Sequence, residues 1–336
     1  MPLAEGFFLL DAIGSVADWF ARFLGTEAFH VRAMMALVLV AIACGSLGSL
    51  VLGNRMAFFS DAMAHTAMAG VTLSLLLIVL AFSVKSTREA DEYLWLLPVV
   101  MACVGIATGL LIAWLQDATG LGTDTVIGVF FALSLGFAGL LLPGLQASIR
   151  IDLESVLFGQ LLLIDDIRLL ILGSMAVLTL GVVLWKYNAF VLGSFHPSLA
   201  RSRGLPVRFN NYLFVVLLAL VVNLSIYAVG VLLINALLIV PAAAAVNVSR
   251  NIRRLFWFTL FGCIACAIVG YRISTTTQIQ LGSRTIDPGP SGAVVMVCVG
   301  WFALSLVPKA FRRRATGAAP IAARLDDHEH HAGCGH

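Results

Sequence analysis

Charge is scarce in this chain. Asp, Glu, Lys and Arg make up 12% of its 336 residues, against 60% hydrophobic. Soluble domains carry roughly 25% charged residues, so the shortage excludes an ordinary water-soluble globule and points to lipid. The net charge of +3 is too small to argue for nucleic acid. There is no G-x-x-x-x-G-K-[ST], which excludes ATP binding through a P-loop of its own. There is no H-E-x-x-H either, which leaves an intramembrane zincin protease without support. An enzyme is not expected. The N-terminus carries acids in place of the basic region of a secretory signal peptide. Cys44, Cys103, Cys263, Cys266 and Cys298 lie in apolar runs, where cysteine behaves as a small hydrophobe, and with Cys334 they imply no disulfide framework. Cys263 and Cys266 form a C-x-x-C inside a span, read as packing.

What is present is apolar length. About 20 apolar residues cross the hydrocarbon core. Runs free of Asp, Glu, Lys and Arg cover residues 33–54, 62–84, 93–116, 125–149, 169–185, 209–249, 255–271 and 288–308. The 209–249 run is long enough for two spans with a tight turn near Tyr227–Gly230. The fold class expected is all-α, a polytopic membrane protein of about nine transmembrane helices. Short loops with Arg55, with Arg201, Arg203 and Arg208, with Arg250, Arg253 and Arg254, and with Lys309 and Arg312 to Arg314 alternate with mixed or acidic ones. The positive-inside rule then puts the N-terminus outside and the C-terminus in the cytoplasm. Ala41, Gly45 and Ser49 form a small-residue face for close helix packing.

Three segments follow. Residues 1–30 hold an amphipathic helix over 7–24, expected to lie on the membrane. Residues 31–310 are expected to form the transmembrane domain. Residues 311–336 are Ala-, Gly- and Pro-rich and read as a disordered cytoplasmic tail. The tail holds His328, His330, His331, Cys334 and His336, a set suited to weak metal binding.

Asp61 and His65 stand in FFSDAMAHTAMAG, four residues apart and so on one helix face. An ionisable group inside a span costs on the order of 2.5–3.5 kcal/mol on insertion scales and normally faces water or a partner. A carboxylate and an imidazole make half a site for zinc, manganese or iron, which two copies across a dimer axis would complete. The plainer alternative is a helix-capping Asp61 and a satisfied interior His65. Asp124 opens the fourth span as a cap or a pathway residue. Asn223, Asn235 and Asn247 each need a bundle partner, and Pro241 interrupts the helix that carries Asn235. That helix is either a moving gate or a static packed kink. The loop SFHPSLARSRGLPVRF reads as a short basic helix closed by Gly204 and Pro206, or as a simple topology anchor.

In order along residues 31–309, NRMAFFSDAMAHTAMAGV, DTVIGVFFALSLGFAGLLL, LFGQLLLI, HPSLARSRGLPV, VGVLLINALLIVPAAAA and PGPSGAVVMV resemble the zinc- and manganese-importing permease family of bacterial ABC transporters. The resemblance implies a homodimeric permease in the bacterial cytoplasmic membrane. It also implies two separate ATP-binding subunits and an extracellular or periplasmic metal-binding protein. The transported divalent metal, zinc ahead of manganese or iron, would pass Asp61 and His65, with no permanently bound cofactor. The coupling segment would be His196, Pro197, Ala200, Arg201, Arg203, Gly204 and Pro206. Departures are His196 where the family usually has Asp, Asn235 at a usually apolar position, a longer loop over 274–290, and the two terminal additions. An ATP-independent or proton-coupled carrier is the alternative, and a membrane metalloenzyme has the least support.

Overall fold

The computed structural model describes residues 27–54, 56, 58–82, 93, 95–146, 159, 161, 164–195, 197–249, 251–277, 279–281, 284–286 and 288–315. The amphipathic stretch at 7–24, His196 and the His-rich tail residues lie outside them. The described residues form α1 (Ala28–Gly53), α2 (Phe59–Phe82), α3 (Leu96–Thr119), α4 (Thr123–Gln146), α5 (Asp166–Trp185), α6 (Tyr187–Phe195), α7 (Pro197–Ser202), α8 (Val207–Val229), α9 (Val231–Val248), α10 (Ile252–Thr276) and α11 (Pro290–Ala315). Nine of these, all but α6 and α7, are long and apolar enough to cross a membrane. The long run splits at Gly230, whose φ of 87° suits glycine.

Two details escape the sequence pattern. The loop after α10 carries a small antiparallel hairpin, β1 (Ile279–Leu281) against β2 (Arg284–Ile286), with Gln280 opposite Thr285. The last helix runs on to Ala315, five residues into the segment read as tail. Arg312 to Arg314 and Ala315 are good helix formers and extend the span's own hydrogen bonding.

The bundle centre is α1, which packs on α5, α9 and α10. Its small-residue face lets backbones meet: a methyl on Gly45 would lie 2.9 Å from Leu260 Cα, and one on Gly48 2.6 Å from the Leu238 carbonyl oxygen. Beyond it, α2, α3 and α8 pack on one another, and α11 packs on α9 and α10. Gly159, at φ 72°, lies so close to the Val229–Gly230 backbone that a Cβ there would collide with Val229. This explains the glycine in LFGQLLLI.

The start of α2 is unusual. Phe59 is fully buried, and its ring lies 3.6 Å from where a methyl on Gly109 would be. Gly109 is near the middle of α3. One turn further, Met63 Sδ accepts a contact from Asn223 Nδ2 at 3.9 Å, and the Asn223 side chain fills the notch left by Gly105. The first turn of α2 is therefore set against the interior of α3 and α8.

Candidate metal pathway site

That deep start carries Asp61 in the first turn of α2. A carboxylate is favoured there by the exposed N–H groups and positive end of the helix. Asn235 lies five residues beyond Gly230, in the second turn of α9. Its Nδ2 donates to Asp61 Oδ1 at 3.2 Å. The Asn235 carboxamide oxygen is buried and without a partner, and so is His65 Nδ1. Both lie within a turn of the carboxylate or across from it. Phe131 of α4 meets the His65 ring edge-on, centroids 4.4 Å apart at 68°. One position beyond His65, Thr66 Oγ1 and Ser134 Oγ of α4 are 3.1 Å apart, and Thr66 also donates to the Ala62 carbonyl, so this polar pair is self-satisfied.

Asp61, His65 and Asn235 are each half-buried in the single chain. They present a carboxylate, an imidazole nitrogen and an amide oxygen, donors that suit zinc through manganese. No cluster of three His, Cys, Asp or Glu exists among the described residues, so a four-coordinate ion would need ligands from outside this chain or from water.

The structure thus brings Asn235 to Asp61, a pairing the sequence pattern did not reveal. It leaves Asp124 apart. Asp124 is in the first turn of α4, exposed, with no hydrogen-bond partner among the described residues. Pro241 lies inside α9, buried. Lacking an N–H, it leaves the Leu237 carbonyl without its helical donor. The Cys263 thiol of α10 supplies one, Sγ to Leu237 O at 3.2 Å. The C-x-x-C cysteine is therefore a backbone partner as well as packing. The residue four before a buried proline is the sequence signal that would have found it. Pro197, Ala200 and Arg201 fall on the short helix α7, which Arg203 and Gly204 close in a turn before Pro206. Gly204 has φ 71°, and Leu205 N–H bonds back to the Ala200 carbonyl. Arg201 and Arg203 are exposed.

Nine candidate spans among the described residues, packed into one helical bundle, mark a polytopic membrane protein. The ABC 3 transport family profile matches residues 26–307, and the chain belongs to that family. Among its relatives, the manganese transport system membrane protein MntC of Halalkalibacterium halodurans is 26% identical over 76% of this chain and 82% of its own length. The high-affinity zinc uptake system membrane protein ZnuB of Haemophilus influenzae is 25% identical over 76% of this chain and 91% of its own. A solved structure, PsaBC from Streptococcus pneumoniae in complex with Fab, has the same fold, with a TM-score of 0.67 at 23% identity over 86% of this chain and 94% of the other.

Proposed function

We propose that this chain is the membrane-spanning subunit of an ABC importer for a divalent transition metal, with Asp61 and His65 as its intramembrane metal contacts. The observation that carries the reading is their combination of depth and exposure. The first turn of α2 is set against the interior of α3 and α8, yet Asp61 and His65 are half-exposed on the single chain. A carboxylate facing lipid at that depth is costly, whereas one facing a second copy across a water-filled pathway is not. Two copies would offer two carboxylates and two imidazoles, with Asn235 positioning Asp61 and adding an oxygen donor. Relatives named for manganese and for zinc both support a metal cargo.

In this reading the chain sits in the bacterial cytoplasmic membrane, N-terminus outside and C-terminus inside. An external metal-binding protein delivers the ion. Two ATP-binding subunits dock on residues 196–206, where α7 and the exposed Arg201 and Arg203 stand out from the bundle. Zinc is the proposed first cargo because the tail adds His and Cys. The Asn235 oxygen keeps manganese within reach of the same site, with iron third. The test is metal uptake by the reconstituted complex carrying Asp61→Ala or His65→Ala. Loss of uptake is expected in both, and wild-type rates in both would overturn the pathway. Competition among zinc, manganese and iron in the wild-type complex reads the cargo order.

A further inference from the structure

A groove opens on the bundle surface where α9 ends and α10 begins. Its floor is Ala244 and Ala245 of α9, both buried. Its walls are Phe258 of α10 and Trp301 and Leu304 of α11, all exposed, with Val248 of α9 at the rim. The volume is about 240 Å³. The run of alanines over 242–245 keeps the floor low between two taller helices. Trp301 closes the inner end, where its Nε1 lies 3.2 Å from the place of a methyl on Gly262. The lining leaves no polar group in need of a ligand. Ser305 is part of it, but its Oγ accepts from Asn247 Nδ2 at 3.1 Å and donates to the Phe302 carbonyl at 2.6 Å. A hydrocarbon chain suits such a groove.

The mouth of the groove is charged. Arg254, Phe258 and Gly262 recur every four residues and so share one face of α10. The neighbouring face turns to α6, where Phe256 meets the Tyr187 ring edge-on with centroids 5.2 Å apart, and Arg253 stands beside Tyr187. The two arginines thus part company: Arg253 goes to α6 and Arg254 to the groove. Side chains on a helix lean toward its N-terminus, which carries Arg254 outward from Phe258 to the mouth. The start of α10 adds to its charge. Asn251 makes no side-chain cap bond there, and the first turn holds no acid, so free N–H groups and the positive helix end stand beside the guanidinium. Nothing in the chain answers this charge locally. Residues 167–286 contain neither Asp nor Glu, and among the described residues no carboxylate lies within 4 Å of Arg254.

We infer that this groove holds one phospholipid with an anionic headgroup. One acyl chain lies between α10 and α11 over the alanine floor, and the headgroup meets Arg254 and the first turn of α10. An ordinary lipid-facing surface supplies the apolar contact without a fixed charge at its end; this groove supplies both. The inference needs only a chain that spans a bilayer, not a metal cargo. In the orientation proposed above, the site opens to the cytoplasmic leaflet, whose surface is negative.

The experiment uses the purified full-length chain in detergent. The probes are phosphatidylglycerol and phosphatidylcholine with identical acyl chains, and bound lipid is counted by native mass spectrometry. One lipid is expected to remain, with phosphatidylglycerol preferred about five-fold, the factor that one basic side chain near a membrane surface supplies. Arg254→Gln should bring that preference close to one, while Arg253→Gln should keep most of it. Val248→Trp narrows the rim at an exposed position and should lower retention of both lipids. Equal retention of the two lipids by the wild-type chain would overturn the site. So would equal effects of the two arginine substitutions, which would report a diffuse surface charge. Unchanged retention in Val248→Trp would overturn the groove as the seat of the chain. Loss of a dimer in Val248→Trp, with no lipid lost, would assign the groove to a second copy and overturn it too.

Discussion

Asp61 and Asp124 each lie in the first turn of a membrane-spanning helix, α2 and α4. Each sits where the local helix dipole favours a carboxylate. Their surroundings differ in every other respect. The α2 start is held against the interior of α3 and α8, and Asp61 meets Asn235 from a helix 174 residues away in sequence. Asp124 is exposed and bonded to no other described side chain. The same local signal is thus a helix-end acid in one place and part of a converging polar group in the other. What separates them is packing: Phe59 and Met63, on either side of Asp61, meet Gly109 of α3 and Asn223 of α8.

The sharpest test of this contrast is loss of the deep pair. Asp61→Ala or His65→Ala should lower metal uptake by about 100-fold or more, as expected for a direct ligand when even outer-shell partners cost about 10–100-fold. Next comes the positioning residue. Asn235→Ala should lower uptake roughly 10-fold, mainly through a raised half-saturating metal concentration, by the same outer-shell measure. Uptake kinetics against metal concentration separate the two. Third, Cys263→Ala should leave the Leu237 carbonyl unsatisfied and cost about 1 kcal/mol of stability, while Cys263→Ser should cost less because it keeps a donor. Thermal unfolding of the purified chain in detergent checks this. Smallest is Asp124→Ala, expected to leave uptake within about two-fold and to cost on the order of 0.3–1 kcal/mol through the lost helix-end interaction. Uptake as low as in Asp61→Ala would break the comparison.

Most of the architecture was legible because the bilayer imposes it. Charge-free runs located the nine candidate spans to within a few residues at most ends, and the turn near Gly230 followed from the length of the 209–249 run. The resemblance to metal-importing permeases rested on segment order and agrees with the family to which the chain belongs. What could not be read was the meeting of helices. Asn235 was visible as a polar residue needing a partner, but nothing local says the partner is Asp61. Phe131 over His65 and Asn223 in the Gly105 notch are likewise products of packing. The hairpin at 279–286 was missed because its two three-residue strands are too short for a pattern of alternation to register.

The bond from Cys263 to Leu237 gives α9 an unusual mechanical character. A proline bend is ordinarily a loose joint, free to flex because a rung of its ladder is absent. Here the missing rung is lent by the next helix, and α1 presses on the same stretch through Gly48. The half of α9 bearing Asn235 is thus tied to α10 at Leu237 by a bond worth about 1 kcal/mol. A displacement of Asn235 would therefore be felt first in α10, whose first turn holds Arg253 and Arg254.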